Sequence, residues 1–286
     1  TGHRNDSVDI KAAAAQGVTV CGTPSSAHAA AELTWALVMA AARRIDLETR
    51  SFHDGGWQVG LGRDLKGATL GVVGLGRLGS LVAGYGKAFG MKVVAWSQNL
   101  TAEKAAAAGA TAVSKEALFR DADYISIHLK LSERSRGLVA AHEFSLMKPD
   151  AWIVNTSRGP IVDEAAMLAT LQAGRIGGAA LDVFDDEPLP KDHPLRRLDN
   201  VVATPHVGYV SRENYATFYR ETAENIAAVG VTGRDGNRAD DKQSAADHDS
   251  ALQPVGSIVR FRSTGGNLAN LKRRAFLHKF FDFVIT

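Results

Sequence analysis

Three side chains with complementary chemistry follow predicted β-strands in this sequence: Arg158, Glu187 and His206. In an open parallel sheet the carboxyl ends of the strands meet at one edge, and ligands bind there. A guanidinium can hold a carboxylate in a two-pronged hydrogen bond, and an imidazole can exchange a proton near neutral pH. A carboxylate beside that imidazole would fix its tautomer and favour the protonated ring. Singly, each residue also fits a structural role, but together they predict acid–base chemistry on a carboxylate-bearing substrate.

A glycine-rich turn supplies the second half of this chemistry. Residues 68–80 read ATLGVVGLGRLGS, a buried strand that runs into a G-x-G-x-x-G turn and then a helix-compatible run. Gly74 allows the tight turn, Gly76 lets the backbone approach a pyrophosphate, and Gly79 lets the helix pack closely on the strand. The helix N-terminus attracts phosphate. Together with the three side chains, the turn predicts hydride transfer between a nicotinamide and a carbon next to a carboxylate.

Strands and helices alternate along the chain. Strands are predicted at 18–21, 69–73, 92–96, 112–113, 124–128, 152–155, 179–183 and 201–203. Helices are predicted at 9–16, 27–45, 81–89, 102–108, 115–120, 141–147, 164–173 and 211–229, with a loop from Arg50 to Gly67. This alternation from residue 68 onward predicts an α/β fold with a doubly wound parallel sheet of the Rossmann type.

Composition narrows the classes of partner. The 33 Lys and Arg nearly balance the 31 Asp and Glu, and residues 231–286 carry 9 of these basic residues against 6 acidic ones. The charge therefore favours no nucleic-acid partner, although the basic and aromatic segment 260–279 leaves such a partner as a weak alternative. No transmembrane run or secretory signal is visible, so no membrane partner is expected. The single cysteine, Cys21, fits a reducing cytoplasm, and no spacing typical of a metal site occurs.

Several motifs in order resemble the D-isomer-specific 2-hydroxyacid dehydrogenases, the family of D-3-phosphoglycerate dehydrogenase and hydroxypyruvate reductase. The resemblance covers roughly residues 1–229. Its motifs are the glycine turn, His128-Leu129, the run 155–159, Leu181-Asp182-Val183-Phe184 with Glu187-Pro188, and Pro205-His206-Val207-Gly208.

The resemblance implies a role for each site residue. Arg158 would bind the substrate carboxylate, and His206 would be the acid–base group paired with Glu187. Asp182 would meet the nicotinamide carboxamide. The implied cofactor-binding residues are Gly74, Gly76, Arg77, Leu78, Gly79, Ser97, His128, Thr156, Ser157, Asp182, His206 and Gly208. The substrate would be a small 2-oxo or 2-hydroxy acid, and the protein would be a homodimer in which the helix 27–45 takes part.

The sequence departs from the family pattern in three places. Most of the substrate domain would lie upstream of Thr1, and the pattern stops near Val229. The acidic residue expected about 20 residues after the first glycine, which binds the ribose of NAD, is absent, and Ser97 follows that strand instead. NAD is favoured, and NADP stays open. A further change, Lys130 in place of the usual Pro, is interpreted as a loop substitution.

The expected organisation has four parts. Residues 1–28 would be a remnant of a flavodoxin-like substrate domain and 29–210 the NAD(P)-binding domain. Residues 211–229 would form a helix returning to the substrate domain, and 230–286 an atypical tail. A shortened substrate domain leaves a second hypothesis open, namely a nucleotide-binding or corepressor-like module of the same family with weak or no turnover.

Overall fold

The computed structural model describes residues 8–232 of the 286-residue chain, with side chains through residue 229. The helices are α1 (Ile10–Ala15), α2 (Ala27–Arg43), α3 (Ile45–His53), α4 (Arg77–Ala88), α5 (Ala102–Ala107), α6 (Lys115–Asp121), α7 (Ala141–Leu146), α8 (Glu164–Gln172) and α9 (Arg212–Thr232). The strands are β1 (Thr69–Val73), β2 (Lys92–Trp96), β3 (Thr111–Ala112), β4 (Tyr124–Ile127), β5 (Trp152–Asn155), β6 (Gly178–Leu181) and β7 (Val201–Ala203).

All seven strands form one parallel sheet in the order β3-β2-β1-β4-β5-β6-β7. The direction of strand order reverses between β1 and β4, which is the position where doubly wound sheets bind ligands. The predicted α/β fold with a doubly wound sheet is confirmed.

The carboxyl ends of the six longer strands are level. Val73 pairs with Trp96 on one side and Ile127 on the other. The row continues through Asn155, Leu181 and Ala203. Neighbouring strands lie about 4.8 Å apart, so the residue that follows each strand enters a row of closely spaced loop starts. The sheet therefore fixes the spacing between the site residues.

Alternate residues of each strand enter two separate cores. One face of the sheet carries Leu70, Val72, Tyr124, Trp152 and Val154, which pack with buried residues of α2 and α4. The other face carries Val73, Ile125, Ile127 and Ile153, which pack with residues of α6, α7 and α8. Burial on both faces explains why the strands read as nearly continuous apolar runs.

The chain divides into two compact units. Within the described residues, one unit is Pro24–Glu221 and the other combines residues 8–23 with 222–232. The first contains the whole sheet. The partial substrate domain and its boundaries stay predictions, and the tail 230–286, with its basic segment 260–279, lies almost wholly outside the described residues. No helix in the described part of the chain is long and apolar enough to cross a membrane.

Several predicted elements were wrong in detail. Residues 18–21 form no strand, and in the described structure only single bridge residues occur nearby, at Val20 and Gly22. The loop predicted from Arg50 begins only after α3. The predicted helix 27–45 ends at Arg43 because Arg44 adopts a left-handed conformation with φ of 51°.

Local interactions account for the break and for α3. The Arg44 guanidinium lies over the Trp152 ring at 5.9 Å and donates to the Asp199 carbonyl at 3.1 Å. Helix α3 has two acidic residues in its first turn and two basic ones in its last, which suits the helix dipole.

Candidate active site

The glycine turn has the shape of a phosphate cradle. Gly74 has φ of 98°, and a Cβ there would meet the His128 carbonyl oxygen at 2.7 Å. A Cβ on Gly79 would lie 2.1 Å from the Gly74 carbonyl oxygen, so only glycine lets α4 approach β1 this closely. Gly76 faces open space, and among the described residues no side chain caps the α4 N-terminus. Free N–H groups with room beside them fit the pyrophosphate of a dinucleotide.

Helix α4 begins earlier than predicted. The sequence indicated a start at Leu81, but the helix starts at Arg77, with Gly76 as its N-cap. Because glycine is a poor helix former, the sequence pattern did not indicate this first turn. Arg77 is exposed there, and Leu78 packs at the edge of the core between sheet and α4.

The loop after β5 is organised by Asn155, which is almost fully buried. Its Oδ1 accepts the Ser157 N–H at 3.0 Å, and its Nδ2 donates to the Arg158 carbonyl at 2.9 Å. The Ser157 hydroxyl donates to the Ile127 carbonyl at 2.7 Å, which ties this loop to the end of β4. Thr156 pairs with Thr34 of α2 through a hydroxyl contact of 2.7 Å.

The structure brings Glu187 and His206 into direct contact. His206 Nδ1 donates to Glu187 Oε2 at 2.5 Å, and Glu187 Oε1 accepts the Phe184 N–H at 3.0 Å. Both side chains are about one third exposed, at 34% and 36%. With Nδ1 engaged, Nε2 is the nitrogen left to exchange a proton with a substrate. The peptide bond between Glu187 and Pro188 is cis.

His206 occupies an unusual backbone conformation. Its φ of 54° lies in the left-handed region, which few residues other than glycine adopt. Asp182, buried at the end of β6, accepts hydrogen bonds from Thr204, Val207 and Gly208 around it. The Tyr209 ring lies edge-on to the imidazole, with centroids 6.0 Å apart.

Arg158 stands on the same edge but is not joined to the pair. Its Nη1 donates to the Ser157 carbonyl at 2.6 Å, and the side chain is exposed. None of the hydrogen bonds or ion pairs in the described part of the chain connects it to Glu187 or His206. Strands β5 and β7 are two positions apart, or roughly 10 Å, so side chains from both loops can meet above β6.

His128 follows β4 and differs from His206 in its surroundings. Burial lowers the pKa of His128 to about 4, so the ring is neutral at physiological pH. Its Nε2 lies 2.9 Å from the Ser126 hydroxyl. Ser97, which follows β2, accepts the Leu100 N–H through its carbonyl at 3.0 Å.

A cavity of about 510 Å³ opens beside the Glu187–His206 pair. Its other walls include Phe184, Pro188, Leu189, Leu195, Arg196 and Pro205. The arrangement combines a phosphate cradle, a proton donor with an ionic partner, and an exposed guanidinium on one sheet edge. It suits a redox reaction that uses a dinucleotide and moves one proton.

Comparison with known proteins decides which reaction this is. The model of the D-isomer specific 2-hydroxyacid dehydrogenase, NAD binding domain, matches residues 35–208. The chain belongs to this family. It is therefore an NAD-dependent oxidoreductase that transfers hydride between the cofactor and 2-hydroxy or 2-oxo acids. The predicted family, reaction and NAD cofactor are confirmed.

Individual members of the family align over most of this chain. The glyoxylate reductase of Aeropyrum pernix is 42% identical over 233 residues, which cover 78% of this chain and 70% of that protein. A solved putative D-3-phosphoglycerate dehydrogenase from Ralstonia solanacearum is 42% identical, with a TM-score of 0.77, covering 82% of this chain and 73% of that one. The Aquifex aeolicus D-lactate dehydrogenase, solved with NAD and lactic acid, is 30% identical with a TM-score of 0.69, covering 81% and 75%.

Sequence reasoning missed the residues that support the site in this dehydrogenase. Asn155 lay within a quoted motif and Thr204 directly before one, but only their hydrogen bonds show what they hold. Thr34 gave no signal, because it contacts Thr156 across 122 positions of sequence.

Proposed function

We propose that His206 is the acid–base group of this dehydrogenase and that Glu187 is its ionic partner. The observation that carries the proposal is the 2.5 Å hydrogen bond from His206 Nδ1 to Glu187 Oε2. In the reducing direction, the bound cofactor would supply the hydride that C2 of a 2-oxo acid accepts. His206 Nε2 gives its proton to the carbonyl oxygen, which becomes the hydroxyl. Glu187 stabilises the charged ring before transfer and fixes its tautomer.

We assign substrate binding to Arg158. Its guanidinium is exposed on the edge two strands from His206, and its only described hydrogen bond is to the neighbouring carbonyl of Ser157. A two-pronged contact with the substrate carboxylate would leave the carbonyl carbon over β6, between this side chain and the imidazole. Since the chain aligns with a glyoxylate reductase, we include glyoxylate among the small acids to be tested.

We further propose that residues along the sheet edge from β1 to β6 would hold the cofactor. The N-terminus of α4, with Gly74, Gly76, Arg77, Leu78 and Gly79, would hold the pyrophosphate, and Ser97 would lie near the adenosine ribose. His128, Thr156, Ser157, Asp182 and Gly208 would surround the nicotinamide. The absence of an acid at Ser97 removes the group that repels a 2′-phosphate, so NADP is proposed as a weaker alternative to NAD.

The test is turnover by the full chain with glyoxylate, hydroxypyruvate, phosphohydroxypyruvate and pyruvate, each with NADH and with NADPH. His206→Ala should abolish turnover and leave NADH affinity nearly unchanged, as measured by fluorescence titration. His142→Ala, an exposed histidine of α7, is the matched control and should leave both values unchanged. Tight NADH binding by the parent with no turnover of any acid would instead select a nucleotide-binding module.

We also propose that the protein is a homodimer. Four large apolar side chains of the segment 52–61 are exposed, and Leu61 and Trp57 are the most exposed at 93% and 75%. Such a patch on a sheet-containing unit favours burial against a second copy. The single cysteine, Cys21, favours a cytoplasmic location.

A further inference from the structure

His206 is held in a conformation that its own backbone disfavours. With φ of 54°, its Cβ crowds the following carbonyl, which disfavours this conformation relative to the right-handed region. The loop after β7 has only eight residues before α9 begins, and His206 lies in its first half. A residue in this position persists only when its neighbours are fixed.

A single buried carboxylate fixes those neighbours. Asp182, 1% exposed, accepts the Thr204 hydroxyl at 2.6 Å and the Val207 N–H at 2.8 Å on Oδ1. Its Oδ2 accepts the Gly208 N–H at 2.8 Å. The three donors flank His206, one before it in sequence and two after it. Both ends of the strained turn are therefore tied to the rigid end of β6.

The loop after His206 is crowded against this carboxylate. A Cβ on Gly208 would lie 3.0 Å from Asp182 Oδ2, so a side chain there would push the loop away. An ionised carboxylate only accepts hydrogen bonds, which suits three converging donors. An asparagine would place its NH₂ group against one of the two backbone N–H groups.

We propose that Asp182 and Thr204 are positioning residues that hold the His206 backbone in its left-handed turn and so aim the imidazole at Glu187 and the substrate. The proposal rests on the assignment of His206 as the acid–base group. For Thr204 it is a new role, and for Asp182 it is additional to the nicotinamide contact implied by the family resemblance. Thr204 separates the two roles, because its hydroxyl has no expected contact with the cofactor.

The test uses three variants of the full chain. Thr204→Val keeps the shape of the side chain and removes the hydroxyl, whereas Thr204→Ser keeps the hydroxyl. Thr170→Val, which changes a buried threonine of α8, is the matched control. We expect Thr204→Val to lower kcat roughly tenfold, the factor typical of losing a hydrogen bond to a charged group. KM for NADH should hardly change, Thr204→Ser should restore most of kcat, and Thr170→Val should match the parent.

A spectroscopic readout separates this proposal from the assignment of function. The short His206–Glu187 hydrogen bond should give a strongly downfield imidazole proton in the NMR spectrum of the parent, with no substrate present. Thr204→Val should weaken or remove this resonance, and Thr204→Ser should retain it. A parent that shows the resonance but turns over no acid would refute the function and leave the positioning role standing.

Three results would overturn the positioning role. The first is an unchanged kcat together with an unchanged downfield proton in Thr204→Val. The second is an equal loss in Thr204→Ser and Thr204→Val, which would mean that the methyl group and not the hydroxyl matters. The third is a loss that appears only in KM for NADH, which would place Thr204 in cofactor binding.

Discussion

The two carboxylate oxygens of Glu187 have different hydrogen-bond partners. Oε1 accepts a backbone N–H three residues earlier, which fixes the carboxylate, and Oε2 meets the imidazole of His206. The carboxylate is therefore held before any substrate arrives. This is the arrangement expected of an ionic partner for an acid–base histidine.

Replacing Glu187 tests that partnership. In Glu187→Gln the carboxylate that contacts the His206 imidazole is replaced by a neutral amide, so the ring loses its ionic partner. The kcat for reduction should fall about 10²-fold. The control is Asp186→Asn, a change at the exposed neighbouring acid, which should leave kcat in place. An unchanged kcat in Glu187→Gln would exclude Glu187 as the partner.

His128 provides a pH-dependent stability. Its pKa of about 4 in the folded protein lies below the ordinary value of 6.5, because burial disfavours the charged ring. The unfolded chain therefore takes up this proton first, and the free energy of unfolding should fall as the pH drops from about 6.5 to about 4. Since the residue is partly accessible, we expect about 1–3 kcal/mol from this source.

Urea unfolding at a series of pH values measures this effect. His128→Gln should show a smaller fall between pH 6.5 and 4 than the parent. His142→Gln, at an exposed position, should keep the parent slope. Identical slopes in the parent and His128→Gln would contradict the assigned cause.

At the scale of elements, the sequence predicted the sheet more closely than the helices and loops. The strands at 69–73, 92–96, 152–155 and 201–203 were predicted with their observed bounds, because burial on both faces leaves short apolar runs between polar turns. Helix α3 was missed. It starts after the left-handed turn at Arg44, whose side chain contacts Trp152 and Asp199. Both of these residues are more than 100 positions away in the sequence.

The site was predictable to a similar degree. The rule that ligands bind at the carboxyl edge, together with the motif resemblance, placed Glu187 and His206 together. The hydrogen bonds that Asp182 accepts from Thr204, Val207 and Gly208 were not predictable, since nothing in the sequence near Asp182 indicates them. Contacts between distant loops depend on the strand register, which could not be predicted from the sequence alone.

The junction of β1 and α4 offers a paired glycine test. In Gly79→Ala the new Cβ would lie 2.1 Å from the Gly74 carbonyl oxygen, so the helix must shift away from the strand. We expect a loss of stability of about 1–3 kcal/mol and weaker NADH binding. Gly84→Ala lies on the same helix with nothing within 4 Å, and it should be neutral or stabilising by up to about 1 kcal/mol.

Urea unfolding measures the stability of both variants, and NADH titration measures their cofactor affinity. The expected result is a split, with loss in Gly79→Ala and none in Gly84→Ala. Equal behaviour of the two variants would show that the close approach of helix and strand does not matter for cofactor binding.

At the scale of the whole molecule, the exposed segment 52–61 predicts association. Leu61→Asp places a charge at the most exposed apolar side chain, and it should shift the protein from dimer to monomer in light scattering after size exclusion. Ala106→Asp, an exposed change on α5, should leave the mass unchanged. A parent that is monomeric at micromolar concentration would refute the proposed homodimer.

The carboxyl ends of the six longer strands lie in one level row, and this affects how the loops of family members can differ. Each segment that starts from the row begins at a fixed height, whatever its length or composition. A segment that starts from the row can therefore differ between relatives in length and composition, and substrate selectivity can change while the strands beneath it stay the same.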